Sequence, residues 1–352
     1  MFKRDFLIPL NMTKYVFVTG GAGYIGSHTF VALYEKGYTP IILDDFRNAN
    51  RIVIKGLKNI VGIEPIVMEG DICKPEFLSE VFSKFSPDAV IHFAAYKAVG
   101  ESVKDPLKYY RNNIIGLINI LEKMIEFKVN NFVFSSSCTV YGEPKGNKEV
   151  TEKSEKNLPN SPYGFTKWIG EQIIEDTYKA NKDFKIINLR YFNPVGAHKS
   201  ALIGEYPIGK PNNLLPFITQ TAIGKQDFLT VFGNDYPTPD GTCIRDYIHV
   251  CDLANAHVKA VEFLFNQSHG IHENINIGTG KGVSVKEIIQ TFIKETGVDL
   301  NWKFGPRRNG DVIEIYANTD KAHKLLGWKS NLTIKHAVID AWNWEKQLTK
   351  IK

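Results

Sequence analysis

The sequence predicts an α/β protein: a doubly wound parallel sheet of the Rossmann type, followed by a smaller mixed α/β domain. Three observations predict it. The first half alternates short, apolar, β-rich runs with longer helical stretches, the pattern of parallel strands joined by crossover helices. A glycine-rich turn, TGGAGYIG at 19–26, stands at the first strand-to-helix junction. Beyond Asn193 the texture shifts to Pro-, Gly- and Asn-rich sequence with few long periodic segments.

The elements follow in order. YVFVT at 15–19 is the first strand, and after the glycines a helix runs over 24–36 until Gly37 ends it. Strands follow at 40–44, 65–69, 88–93, 131–135 and 185–190, with helices between them, including a long one over 102–127. In the second half, residues 246–250 and 275–277 read as strands and 284–296 as a helix; the tail 318–346 is helical with a turn near Gly327. This divides the chain into a dinucleotide-binding domain over 1–193 and a substrate domain over 194–352, with 246–279 packing back onto the first. The opening residues MFKRDFLIPLN resemble a signal peptide only superficially: FLIPL is short for an apolar h-region and is cut by Pro9. Residues 1–13 therefore read as a non-essential extension, with Met12 as an alternative start.

At 352 residues the chain can bury a large core. The formal charge of +5 is spread along the sequence without a Lys/Arg run, which argues against a nucleic-acid footprint. No stretch is long and apolar enough to span a membrane as a helix. Cys73, Cys138, Cys243 and Cys251 show no CxxC spacing, so reduced thiols and a cytoplasmic setting are expected. His28, His92, His249 and His257 lack metal-ligand spacing, and no metal site is expected.

Gly20, Gly23 and Gly26 meet the demands of a dinucleotide turn: a tight reversal, close backbone approach to a pyrophosphate, and tight helix–strand packing. The phosphates would meet the positive end of the following helix. Asp44 closes the second strand, near the spacing expected of a ribose-binding carboxylate. A carboxylate there accepts from ribose hydroxyls and repels a 2′-phosphate, so NAD is favoured over NADP. Arg47 is the one neighbour able to pair with that phosphate.

Tyr163 and Lys167, in SPYGFTK at 161–167, are four apart and share a helical face. They follow the fifth strand, which leads into Ser135, Ser136 and Ser137, and ligands in such sheets gather at strand C-terminal ends. A tyrosine ionising near pH ~10 is a poor base, but a neighbouring Lys ammonium and a positively charged nicotinamide ring both favour its phenolate. With Ser137 hydrogen-bonding the same hydroxyl, the trio could deprotonate a sugar alcohol while NAD oxidises its carbon.

Here the sequence resembles the extended short-chain dehydrogenase/reductase family, and within it the UDP-glucose 4-epimerase family, from about Lys14 to Trp344. The likeness rests on VTGGAGYIGSHT (18–29), EGDI (69–72), VIHFAAYKAVGESV (90–103), FSSSCTVYG (134–142), SPYGFTK (161–167), RYFNPVGAH (190–198), FGNDYPTPDGTCIRDYIHV (232–250) and PRRNGD (306–311). It implies that Tyr24, Ile25, Asp44, Asp71, Ile72, Phe93, Ala94, Lys97, Asn112 and Phe192 line an NAD site together with the glycines. Asp71 and Ile72 would flank the adenine and Lys97 the nicotinamide half. Ser137, Tyr163 and Lys167 would be the catalytic trio and would also touch the cofactor, Ser137 and Tyr163 reaching the substrate as well. Asn193, Asn213, Leu214, Phe232, Arg245, Arg308 and Asp311 would hold a UDP-sugar, and guanidinium groups suit a diphosphate.

The resemblance further implies epimerisation at C4 through a transient 4-keto sugar, and a homodimer built from helices near 102–127 and 164–181. Ile315 falls at the position that gates the sugar pocket in this family, where Tyr restricts it and Cys opens it. A stiff, branched Ile suggests room for N-acetylhexosamines. Rival readings are a related nucleotide-sugar epimerase, dehydratase or decarboxylase, or a catalytically silent NAD-binding sensor. A dehydratase needs an acid just after the strand-five serine, and Cys138, Thr139 and Val140 supply none. An intact Ser137, Tyr163 and Lys167 argues against a silent sensor.

Overall fold

The computed structural model describes residues 14–144, 148–308 and 311–350, so the extension at 1–13 lies outside the described residues. The strands are β1 Tyr15–Thr19, β2 Thr39–Asp44, β3 Ile66–Glu69, β4 Ala89–His92, β5 Asn131–Ser137, β6 Glu149–Val150, β7 Lys185–Tyr191, β8 Asn193–Val195, β9 Leu229–Phe232, β10 Ile244–Arg245, β11 Tyr247–His249, β12 Ile271–Ile277, β13 Val283–Ser284, β14 Trp302–Gly305 and β15 Glu314–Ala317. The helices are α1 Tyr24–Glu35, α2 Ile52–Val61, α3 Pro75–Phe85, α4 Val99–Lys104, α5 Pro106–Glu126, α6 Pro162–Ala180, α7 Leu214–Ala222, α8 Val250–Phe265, α9 Val285–Thr296, α10 Asp320–Leu326 and α11 Ile334–Lys350.

Alternation along β1 shows how the sheet is covered. Val16 and Val18 point to one face, where they pack with Leu33 of α1 and with Leu253, Val258 and Val261 of α8. Phe17 points to the other and packs with Leu78 and Phe82 of α3 and Leu117 and Ile120 of α5. Both faces are apolar because both carry helices, as a parallel sheet requires. The seven strands run in the order β12-β7-β5-β4-β1-β2-β3. Every neighbouring pair is parallel. The order reverses direction at β1 and β4, which opens a crevice at the strand C-termini there.

One expected element is split. The helix read over 102–127 is two helices, α4 and α5, broken at Asp105–Pro106. Proline cannot donate to the preceding turn, so Pro106 opens a new helix at its first position. The Asp105 carboxylate caps that helix by accepting from the Lys108 amide at 3.3 Å.

The second half contributes to two cores. Strand β12 and helix α8 belong to the large sheet, and Ala322 and Leu326 of α10, with Trp328, also join that core. A separate cluster lies between α7, α9 and α11, centred on Leu215, Ile218, Ile288, Phe292, Ala337 and Val338. Gly327 ends α10 at φ 59°, the left-handed conformation glycine adopts at helix ends. Between the two cores run β10, β15, β13 and β6, which form a four-stranded sheet.

Candidate active site

The crevice begins at the β1–α1 turn. Gly20 has φ +68°, and a Cβ on it would lie 2.8 Å from the Ala94 amide nitrogen. A Cβ on Gly26 would lie 2.3 Å from the Gly20 carbonyl oxygen. Only glycine lets the loop pass this close to α1 and to the end of β4. Helix α1 opens on Gly23, which has no side chain to cap it, and its first turn carries no acid. Its positive pole is thus left for an anion, and Tyr24 and Ile25 form its first residues.

Asp44, ending β2, braces this cradle: its carboxylate accepts from the Ala22 amide at 3.0 Å and the Phe46 amide at 2.9 Å. Burial raises its pKa, and those two amides work in the opposite direction. Arg47 is committed elsewhere. Its guanidinium pairs with Asp45 at 2.6 Å and Asp71 at 2.5 Å. It also reaches the Asn112 side-chain oxygen at 3.5 Å. Facing two carboxylates, Arg47 is already partnered where a 2′-phosphate would need it.

Ile72 behaves differently from an open wall. Its side chain is buried against Gly116 of α5, and its carbonyl accepts from the Asn119 side chain at 3.0 Å. Phe93 and Ala94 follow β4, with Phe93 packed on His257 at 4.6 Å between ring centroids. Lys97 pairs with Glu205 at 3.0 Å, and the same Glu205 oxygen accepts from Asn213 at 2.6 Å. One carboxylate thereby joins two residues that the sequence assigned to different ligands.

The trio sits where β5 meets α6. Ser161 caps α6 by accepting from the Gly164 amide at 3.2 Å, and Pro162 occupies the first position. This puts Tyr163 in the first turn and Lys167 one turn on. Ser137 ends β5; its oxygen accepts from the Thr139 amide at 3.2 Å and also meets the Tyr163 hydroxyl. Burial pushes the Tyr163 phenol up to about 12; Cys138 adds to this and Ser137 opposes it. Lys167 is 4% exposed, and burial lowers its pKa to about 7. Its Nζ donates to the Ser135 carbonyl at 2.6 Å.

Phe192 is buried behind β7, and Asn193 begins β8. Asn213 precedes α7 and Leu214 begins it; Phe232 ends β9 and is largely exposed, with the Arg308 guanidinium 5.5 Å from its ring centre. Arg308 pairs with Asp311 at 2.5 Å. Arg245 donates to the Ile244 carbonyl at 2.9 Å. Arg245, Asp311 and Arg308 all act electrostatically on Tyr247, and Arg245 also acts on Cys138, so the two arginines share one region with the catalytic turn. Ile315 is 3% exposed and packs with Val140, Tyr141, Phe192 and Ala317.

Sequence reasoning missed Glu171 and Arg190, a buried pair directly beneath the trio. The available signal was a charged residue inside the apolar run KIINLRYF and a glutamate four positions after Lys167.

A glycine cradle at the N-terminus of α1 and a Ser–Tyr–Lys trio on β5 and α6 define a nicotinamide-dependent site of the short-chain dehydrogenase/reductase type. Residues 17–340 match the family model described as GDP-mannose 4,6 dehydratase. The UDP-glucose 4-epimerase of Schizosaccharomyces pombe is 48% identical over 336 residues, with 94% of each chain covered. Among solved structures, the UDP-glucose-4-epimerase of Stenotrophomonas maltophila, with bound NAD and formylated UDP-arabinopyranose, superposes with a TM-score of 0.92 at 43% identity, covering 97% of this chain and 100% of that one. The UDP-glucose 4-epimerase of Bifidobacterium longum, in complex with NAD+ and UDP, gives 0.91 at 42% identity, covering 95% and 98%. The chain belongs to the UDP-glucose 4-epimerase family of extended short-chain dehydrogenase/reductases.

Proposed function

We propose that this chain is an NAD-dependent isomerase that interconverts UDP-glucose and UDP-galactose by inverting C4 of the hexose. The observation that carries the reading is the Ser137–Tyr163–Lys167 group at the mouth of a glycine cradle, in a chain nearly half identical to a UDP-glucose 4-epimerase over almost its whole length. NAD, when bound, supplies the acceptor and donor for the hydrogen of C4. Gly20, Gly23 and Gly26 with Tyr24, Ile25 and Asp44 would hold it, joined by Asp71, Ile72, Phe93, Ala94, Lys97, Asn112 and Phe192. Residues 1–193 would form the cofactor domain, with 246–279 completing it, and 194–352 the substrate domain.

With its phenolate favoured by the positive charge that the oxidised nicotinamide would bring, Tyr163 would take the proton from the 4-hydroxyl as C4 is oxidised, while Ser137 hydrogen-bonds the same oxygen. The 4-keto sugar then turns within the pocket, and Tyr163 returns the proton. Both sugar faces must fit, so grip belongs at the UDP end, where Arg245, Arg308, Asp311, Phe232, Asn193, Asn213 and Leu214 would act. Binding energy from this non-reacting end serves the reacting one. Dehydration is disfavoured because Cys138, Thr139 and Val140, the turn after Ser137, contain no acid. Incubation with UDP-galactose should yield UDP-glucose without net use of NAD, read by a coupled UDP-glucose dehydrogenase assay. A folded, NAD-loaded protein that makes none would refute the assignment.

Ile315 sets the expected breadth. Its side chain is packed among Val140, Tyr141 and Phe192 and is smaller than the tyrosine that restricts the pocket in the family. UDP-N-acetylgalactosamine should therefore be converted as well. A tyrosine at 315 cannot enter that packed cluster and would be forced into the sugar space. Ile315→Tyr should abolish conversion of the N-acetyl substrate and leave UDP-galactose turnover within a few-fold; equal loss for both substrates would count against the gate.

The setting is a cytoplasmic homodimer. All four cysteines are free thiols, and no helix among the described residues is long and apolar enough to cross a membrane. Ile115, Ile118 and Ile125 are exposed on α5, at spacings that make one apolar stripe for a second copy to cover.

A further inference from the structure

The trio rests on a buried ionic node that its chemistry does not consume. The Glu171 carboxylate lies on α6, one turn beyond Lys167, and is almost inaccessible. Arg190 of β7 grips it with two parallel bonds, Nε to Oε1 at 2.8 Å and Nη2 to Oε2 at 2.7 Å. The Ser136 hydroxyl donates to Oε1 at 2.6 Å, and Lys156 donates to Oε2 at 2.6 Å. The remaining Arg190 nitrogen donates to the Tyr141 hydroxyl at 3.1 Å, and that hydroxyl in turn donates to Asn276 at 2.6 Å. Four donors saturate the carboxylate, so it can stay ionised in the interior.

Its location is the important point. Ser136 lies between Ser135, whose carbonyl seats Lys167, and Ser137, which meets Tyr163. The Ser136 side chain faces Glu171, while Ser135 seats Lys167 through its backbone carbonyl. One carboxylate thus pins β5, β7 and α6 at the level of the catalytic groups.

We propose that Glu171 is a positioning residue for the epimerisation: held by Arg190 and Ser136, it fixes the end of β5 against α6 and so sets the distance of Ser137 from Tyr163 and the seat of Lys167 on the Ser135 carbonyl. The inference rests on the proposed epimerase reading. Its effect falls on the chemical step and not on UDP binding, because the node bonds the strand and helix that carry the trio and none of the hydrogen bonds described for it involves Arg245 or Arg308. Reacting groups displaced by an ångström lose on the order of 100-fold in rate.

The test uses the NAD-loaded enzyme, with rates expressed per bound NAD so that an inactive fraction does not count. Glu171→Gln and the milder Ser136→Ala are compared with wild type for kcat, KM for UDP-galactose, and the kinetic isotope effect of deuterium at C4 of the sugar. The expected result is a fall in kcat of roughly tenfold for Ser136→Ala and about 100-fold for Glu171→Gln. KM should stay within about twofold, and the isotope effect should rise as chemistry becomes limiting. A purely structural role would leave the isotope effect at its wild-type value, and that outcome overturns the proposal. If Glu171→Gln fails to fold, Ser136→Ala decides alone. An active wild type with unaffected variants sinks only this inference, whereas an inactive wild type sinks the epimerase reading and this inference with it.

Discussion

A Tyr163→Phe enzyme is expected to lose turnover of UDP-galactose by roughly 100- to 10,000-fold, the range typical of removing a positioned acid–base group. The substitution deletes one hydroxyl and keeps the ring, so packing around the start of α6 should survive. KM should change little, because the proposed grip on the substrate lies at the UDP end around Arg245 and Arg308. The loss should be large because no neighbour can take the role. Ser137 already accepts from the Thr139 amide at 3.2 Å, and an alcohol is a far weaker base than a phenolate. His92 is buried beneath the trio, bonded to Thr19 at 2.8 Å, and burial together with Lys167 pushes its pKa down to about 3. Cys138 stays a thiol, since burial raises it to about 12. Steady-state kinetics on variant protein with wild-type NAD content checks this, and retained turnover would remove Tyr163 from the chemistry.

The features that could be read from sequence are those whose physics is local. The glycines of the β1–α1 turn, Asp44 at the end of β2 and the strands of the large sheet all declare themselves within a few residues, through conformational freedom or apolar alternation. Asp-Pro at 105–106 was an equally local stop signal, and the long apolar periodicity on either side masked it. Contacts made by folding are different in kind. Lys167 bonds a carbonyl 32 positions earlier, and Lys97 meets Glu205 across 108 positions. Neither partner has a pattern of its own. The same holds for Glu171 with Arg190: a glutamate on a helix ordinarily faces water, and only the meeting of α6 with β5 and β7 turns it inward.

Lys167→Met joins a large loss of activity to a change in how stability depends on pH. Burial lowers the Lys167 pKa from 10.5 to about 7. In the unfolded chain the amine holds its proton until the pH nears 10.5; in the folded chain it releases it near 7. Between these values the unfolded state binds more protons, so stability rises with pH across that window and is lost as pH falls through the folded value. From pH 7 to pH 10 this one group should raise stability by roughly 3–4 kcal/mol. Methionine fills similar space without a charge, so the variant should lack that slope. It should also be more stable than wild type at neutral pH, by a margin trimmed about 1 kcal/mol through loss of the Ser135 hydrogen bond. Turnover should meanwhile fall by about 100-fold or more, because the seat that holds α6 to the end of β5 is gone. Urea unfolding of both proteins at pH 7 and pH 9.5, matched for NAD content, measures the difference. Parallel pH dependence in the two would show that the buried ammonium carries no such cost. A stability gain that shrinks as pH rises, in an enzyme that no longer turns over, would mark Lys167 as a charge kept in the interior for function at the expense of the fold.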